Sequence, residues 1–284
     1  MRVLWLANGI NMVLDPLLIF GVGPFPELGV TGAGIATVVG RGTGVLFQLL
    51  VLCRSDGRLR VRARHMRLDP AVMWRLIRLS GTGTLQAFIG AASWIGTMRI
   101  VAVFGNEALA GYTVAIRVVL FVLLPAWGLG GAAATMVGQG LGAGDPDRAE
   151  RAVWMAARVN LVLLGSAAVV FLVAAPAIVE RFGMDGAAHA YAARCLRIVS
   201  CGFFFYAFGA VLTQAFNGAG DTWTPALLNL ACYWCWELPL AWSLAVPVGL
   251  GADGVFVAVT TSFSLLTLLS VVLFRRGRRR RVVV

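Results

Sequence analysis

The stretch Leu28-Gly29-Val30-Thr31-Gly32-Ala33-Gly34-Ile35-Ala36 returns 222 residues later as Leu250-Gly251-Ala252-Asp253-Gly254-Val255-Phe256-Val257-Ala258. Without a gap, the same offset lays Glu237 on Asp15, one acid inside each of two apolar stretches. A hydrophobic unit that recurs with a matched interior acid is the pattern of duplicated membrane carriers, whose sites lie between the copies. Only a fraction of the first copy is present. The expectation is a fragment whose first copy lacks its opening.

Composition sets the class. The chain of 284 residues is 59% hydrophobic and 13% charged, with a mean hydropathy of +0.83. A soluble domain of this length needs far more polar surface, so the expectation is an all-α integral membrane protein. All 24 basic residues are Arg, and the net charge is +11. Six lie at Arg54, Arg58, Arg60, Arg62, Arg64 and Arg67, and six more between Arg275 and Arg281. Both clusters flank apolar spans, where positive-inside bias accounts for them, so no nucleic-acid partner is implied. Five cysteines show no disulfide or zinc framework, and the Cys232–Cys235 pair sits within an apolar span. The start is not a signal peptide, because Asn8, Asn11 and Asp15 interrupt its apolar run.

A span needs about 20 mostly apolar residues. The chain offers about eight: 1–20, 30–53, 78–104, 109–139, 151–179, 190–216, 224–247 and 253–274. Spans one and two resemble spans seven and eight, with four between, so a full unit has six helices. The chain then holds two helices ending an N-terminal lobe (1–53), a cytoplasmic basic linker (54–77), a six-helix C-terminal lobe (78–274) and a cytoplasmic Arg-rich tail (275–284). Alternation puts both termini inside, and the even spacing makes the repeat parallel. Four helices of the first lobe are expected before Met1 in a full-length chain.

Three motifs resemble the multidrug and toxic compound extrusion (MATE) family. The first is Asn11-Met-Val-Leu-Asp15-Pro16-Leu-Leu-Ile-Phe20-Gly21, followed by Leu28 to Thr37. The second runs from Val137 through Gln139, Gly144 and Asp145 to Ala149, and the third from Ala215 through Asn217, Gly220 and Asp221 to Pro225. They lie in the family's order and cover essentially the whole chain, matching its fifth to twelfth helices. The resemblance implies two six-helix lobes, a cavity opening alternately to either side of the cell inner (plasma) membrane, and export of a small drug-like substrate against inward proton or sodium flow. It implies no cofactor and no metal.

Asn11 and Asp15 are four residues apart and share one helix face. An ionisable residue at membrane depth faces the bundle interior or a wet cavity. The resemblance implies that Asn11, Asp15 and Thr37 form a cation-coupling network with an Asp of the absent first helix. The other reading has Asp15 capping a break before Pro16, because Asp-Pro favours a turn. In the family's sodium-coupled branch an acid stands near the middle of the C-terminal lobe's first helix. Here Leu85–Ala91 contains none, a departure that favours H+ over Na+.

Glu237 and Arg99 are the second lobe's interior charges. Burying either alone is costly, so an ion pair between them is one solution and snorkelling another. Arg117, Pro125 and Gly128 mark a hinge, or merely close packing by small residues. The Gly138–Gly144 run lacks the Gly-Lys-Ser/Thr of a phosphate loop and reads as a helix end, with Asp145 or Asp147 capping the next helix. The Asn217–Asp221 loop has the same character. Aromatics crowd spans six and seven, as cavity faces for cations or as filler.

The leading function is a secondary antiporter exporting lipophilic, often cationic compounds. A lipid-linked sugar flippase of the same superfamily is kept open by Arg99, Arg117 and Arg41. An inactive truncated remnant is the third reading. An enzyme is disfavoured, because His65 and His189 stand alone in loops and no nucleophile–base or metal spacing appears.

Overall fold

The computed structural model describes residues 2–54 and 69–280. The basic linker's arginines from Arg58 to Arg67, together with His65 and residues 281–284, lie outside the described residues. The described chain is helical throughout, and its helices fall into two units, Met1–Met73 and Trp74–Val284.

The first unit is a helical hairpin of α1 (Arg2–Ile19) and α2 (Gly29–Arg54). Its fit is written in the small residues of α2. Gly32, Ala36, Gly40 and Gly44 recur every four residues and form one stripe. A Cβ on Gly32 would stand 2.3 Å from the Leu18 carbonyl oxygen, and one on Gly40 would stand 3.0 Å from that of Ala7. Small side chains therefore let the two backbones touch, the usual route to close helix contact in a bilayer. The turn closes where the Leu28 amide donates to the Leu18 carbonyl (3.0 Å).

The second unit begins within α3 (Pro70–Ala102) and continues through α4 (Asn106–Gly142), α5 (Pro146–Glu180), α6 (Gly186–Cys201), α7 (Phe203–Gly218), α8 (Trp223–Asn229), a π-helical segment (Leu230–Glu237), α9 (Leu238–Ala245) and α10 (Ala252–Arg280). The start of α3 corrects the expected linker of 54–77. Asp69 caps it by accepting from the Ala71 amide (2.9 Å), so residues 70–77 are helical despite Arg75. Arg-rich sequence reads as loop, but a capped amphipathic turn carries arginine without difficulty.

Among the described residues five helices, α2, α3, α4, α5 and α10, are long and apolar enough to cross a membrane, and α6 with α7 makes a sixth span bent by 58°. The expected spans at 1–20 and 224–247 correspond to α1, which is shorter, and to the unbroken run from α8 through α9. Lipid-facing character is plain on the outer faces, where Phe121 (79%) and Val173 (76%) are exposed. Inside, Tyr112 stacks on Phe256 at 6.0 Å, and Phe203 tilts against Phe171.

Two backbone irregularities are set by sequence. The bend between α6 and α7 falls at Gly202, where a Cβ would meet Phe263 at 3.0 Å and the Val199 carbonyl at 3.2 Å. The π-helical segment precedes Pro239, whose ring would press on the carbonyl four residues back. Widening the turn resolves this, and the Leu238 amide reaches back five residues to the Tyr233 carbonyl. By contrast α4 runs unbroken through Pro125, so the expected hinge at Arg117, Pro125 and Gly128 has no static bend to mark it. Arg117 is exposed, and a Cβ on Gly128 would meet open space.

The glycine runs are helix ends and crossings, as expected. Asp145 caps α5 by accepting from the Arg148 amide (2.9 Å), and Asp221 accepts from the Thr224 amide (3.0 Å). Gly144 and Gly220 precede these caps with φ of 72° and 84°, a conformation few other residues adopt. Gly218 lies directly on α4, its missing Cβ only 2.3 Å from the Ala134 carbonyl oxygen.

Candidate functional site

In the hairpin, the three residues expected to cooperate do meet. With its amide oriented to satisfy both neighbours, Asn11 donates from Nδ2 to Asp15 Oδ2 (3.2 Å), and its Oδ1 accepts the Thr37 backbone N–H (3.3 Å). Helical spacing makes the first contact, and the glycine stripe makes the second by bringing α2 against Asn11. Gly40 is central, since a Cβ there would stand 3.1 Å from that of Asn11. Thr37 differs from expectation in one respect. Its hydroxyl turns back on the Ala33 carbonyl (2.9 Å), so it contributes main chain to Asn11. All three residues are half-buried. The α1 helix continues through Pro16, so Asp15 does not sit at a break.

In the second unit, Glu237 is 6% exposed at the end of the π-helical segment. Its partners are hydroxyls. Ser262 of α10 donates to Oε2 (2.5 Å), and Ser93 of α3 lies 3.5 Å from Oε1. Arg99 is exposed, and among the described residues no ion pair joins it to Glu237. The described ion pair of this unit is instead Arg194 with Asp253, at 3.2 Å. We therefore expect R99Q and E237Q to act additively, within about 0.5 kcal/mol, in thermal unfolding of the single and double variants in detergent. Rescue of E237Q by R99Q would mean that the two charges pair in the wild type.

A polar cavity of about 130 Å³ opens beside this cage, lined among others by Gln86, Trp127, Tyr206, Thr213, Gln214, Asn217, Asn229 and Tyr233. Its polar groups largely satisfy one another. Gln86 donates to the Thr222 carbonyl (2.9 Å), Asn217 to Gln214 Oε1 (3.0 Å), and the Trp127 indole to the Tyr206 hydroxyl (2.9 Å). The expected aromatic surface contributes Tyr206 and Tyr233, whereas Phe203 is packed away in the core. Ser93 and Ser262 escaped sequence reasoning, and Gln86 and Asn217 were not read as cavity residues, since neutral polar residues in apolar spans carry no charge signal. Cys232 is buried and Cys235 exposed. Among the described residues no cluster of His, Cys, Asp or Glu could hold a metal ion.

These features define a polytopic helical membrane protein with carboxyl groups held inside its helix packing. Residues 85–243 match the MatE family, and the chain belongs to it. It is 32% identical to "Probable multidrug resistance protein NorM" of Caulobacter vibrioides, covering 92% of this chain and 56% of the relative. It is 25% identical to "Probable multidrug resistance protein YoeA" of Bacillus subtilis, covering 92% and 57%. A "FAD transporter" of Shewanella oneidensis is 26% identical over 84% of this chain and 53% of its own length. The chain thus spans little more than half the length of the relatives it matches. Among solved folds, an outward-facing multidrug resistance MATE family transporter superposes with a TM-score of 0.86 at 20% identity, covering 98% of this chain and 61% of that one. A MOP superfamily transporter from Pyrococcus furiosus superposes at 0.87 and 19% identity, with the same coverage. The named relatives are resistance proteins and transporters.

Proposed function

We propose that this chain is part of a secondary antiporter that exports lipophilic cations in exchange for protons by alternating access. The carrying observation is the Asn11–Asp15–Thr37 contact, an ionisable group held between two apolar helices. The multidrug names of the relatives support the substrate class. The activity belongs to an assembly of the relatives' length, in which further helices complete the lobe containing α1 and α2. Its place is the inner membrane, with the Arg-rich tail cytoplasmic, as the charge bias supports. Asp15 binding a proton better in one conformation than in the other would supply the coupling.

A second reading is favoured by the relative named a FAD transporter and by the exposed Arg41, Arg99 and Arg117. In it the cargo is anionic, a nucleotide or a lipid-linked sugar phosphate. One experiment separates the readings. The native gene product in proteoliposomes is given a pH gradient or a sodium gradient, with a fluorescent organic cation, a flavin nucleotide or a labelled polyprenyl-linked sugar as cargo. Cation movement driven by the pH gradient is expected. Movement of anionic cargo alone would replace the proposal by the second reading, and dependence on sodium alone would overturn the proton.

A further inference from the structure

The buried carboxyl of Glu237 is not explained by structural pairing. A buried acid kept ionised for structure alone has a cation beside it, since an unpaired buried charge is strongly destabilising. The groups facing Glu237 come from four elements. They are Ser93 and Thr97 of α3, Tyr112 of α4, Cys232 and Tyr233 of the π-helical segment, and Ser262 of α10. Behind them, Cys195 of α6 faces Tyr112, and Tyr206 of α7 faces Tyr233. None is a cation.

The two serines have a property an ion pair would lack. Ser262 Oγ lies 2.5 Å from Glu237 Oε2 and 2.8 Å from the Val259 carbonyl oxygen. Ser93 Oγ lies 3.5 Å from Glu237 Oε1 and 3.4 Å from the Tyr233 carbonyl oxygen. A hydroxyl has one proton to donate and two lone pairs to accept with. When Glu237 is ionised, Ser262 donates to it. When Glu237 is protonated, its O–H donates to Ser262 Oγ, and the serine proton turns to the Val259 carbonyl. Both protonation states are satisfied with the heavy atoms in place. Tyr233, whose carbonyl receives Ser93, also lines the polar cavity. Tyr233 is thus the residue that the cavity and the surroundings of Glu237 share.

We propose that Glu237 is a second proton-carrying group, separate from Asp15, that exchanges its proton with the polar cavity by way of Ser93. This rests on the proton-driven reading above. A hydronium gives up one proton and becomes water. Ser93 Oγ accepts that proton as its own hydroxyl proton passes to Glu237 Oε1, so one O–H bond breaks for each that forms, and the return runs in reverse.

The test is infrared difference spectroscopy of the native protein in lipid, titrated across neutral pH in the wild type, E237Q, D15N and S262A. A C=O stretch of a protonated carboxyl that titrates in the wild type is expected to vanish in E237Q and to persist in D15N. Should E237Q fail to fold, S262A still decides. It keeps the acid and removes a partner of both forms, but the bond to the ionised form is the stronger of the two, so the band should survive to a pH higher by about one unit. Superimposable wild-type and E237Q spectra, or an S262A midpoint equal to the wild type's, would overturn the proposal. Failure of the antiporter reading looks different, as normal transport by D15N with the Glu237 band intact.

Discussion

Asp15→Asn should reduce proton-driven export to that of vesicles without protein, while leaving the protein folded. Asparagine matches aspartate in size and can still hydrogen-bond Asn11, so the hairpin loses a charge and no packing. What disappears is the group whose proton occupancy differs between conformations. Coupling between two sites typically amounts to about 1–3 kcal/mol, or roughly 5–150-fold in affinity. Without it the driving ion and the cargo move independently. Asn11→Leu keeps the acid but removes its donor and should weaken coupling less. Export by D15N at the wild-type rate, measured in the same proteoliposomes, would remove Asp15 from the mechanism.

Gly218→Ala should be the most damaging single methyl in the second unit. Its Cβ would stand 2.3 Å from the carbonyl oxygen of Ala134 and 2.6 Å from its Cα. These are main-chain atoms of α4, which cannot swing aside as a side chain would, so the helices must separate. Overpacking of this kind destabilises by about 1–3 kcal/mol, at times more. Gly131→Ala, also in α4, is the control. Nothing lies within 4 Å of its added methyl, and alanine stiffens a helix by about 0.5–1 kcal/mol relative to glycine. Melting in detergent should therefore drop for the first and hold or rise for the second. Equal melting of both would mean that the α4–α7 crossing is loose.

The sequence made some of this legible and hid the rest, for physical reasons. Thr37 entered through the family resemblance, whereas the helical class was readable from hydropathy, and the shared face of Asn11 and Asp15 from four-residue spacing, because both are local signals. The caps at Asp145 and Asp221 were readable for the same reason. Glu237 was rightly expected inside the bundle but given the wrong partner, Arg99. Opposite charges attract attention in a sequence, whereas Ser93 and Ser262 lie 144 and 25 residues from Glu237 and look like ordinary small residues. Bending was expected at Pro125 and found at Gly202. A proline in a membrane helix can be absorbed without a break, while the bend at Gly202 depends on how closely α10 packs there. The π-helical segment was not foreseen. Pro239 is its sequence correlate, visible only once the turn before it is known to widen.

The glycine stripe of α2 bears on how the first hairpin reaches the bilayer. An Asp at the middle of a lone helix costs about 2.5–3.5 kcal/mol to transfer into the membrane through the translocon, and Asp15, one turn from the end of α1, costs less. In the hairpin, Asp15 meets the amide of Asn11, and Asn11 meets the main chain of α2, before any other helix is needed. Biogenesis therefore favours α1 and α2 partitioning together, as one piece. A bulky residue at Gly32 or Gly40 would already act at that step, on the yield of inserted protein, before any proton is carried.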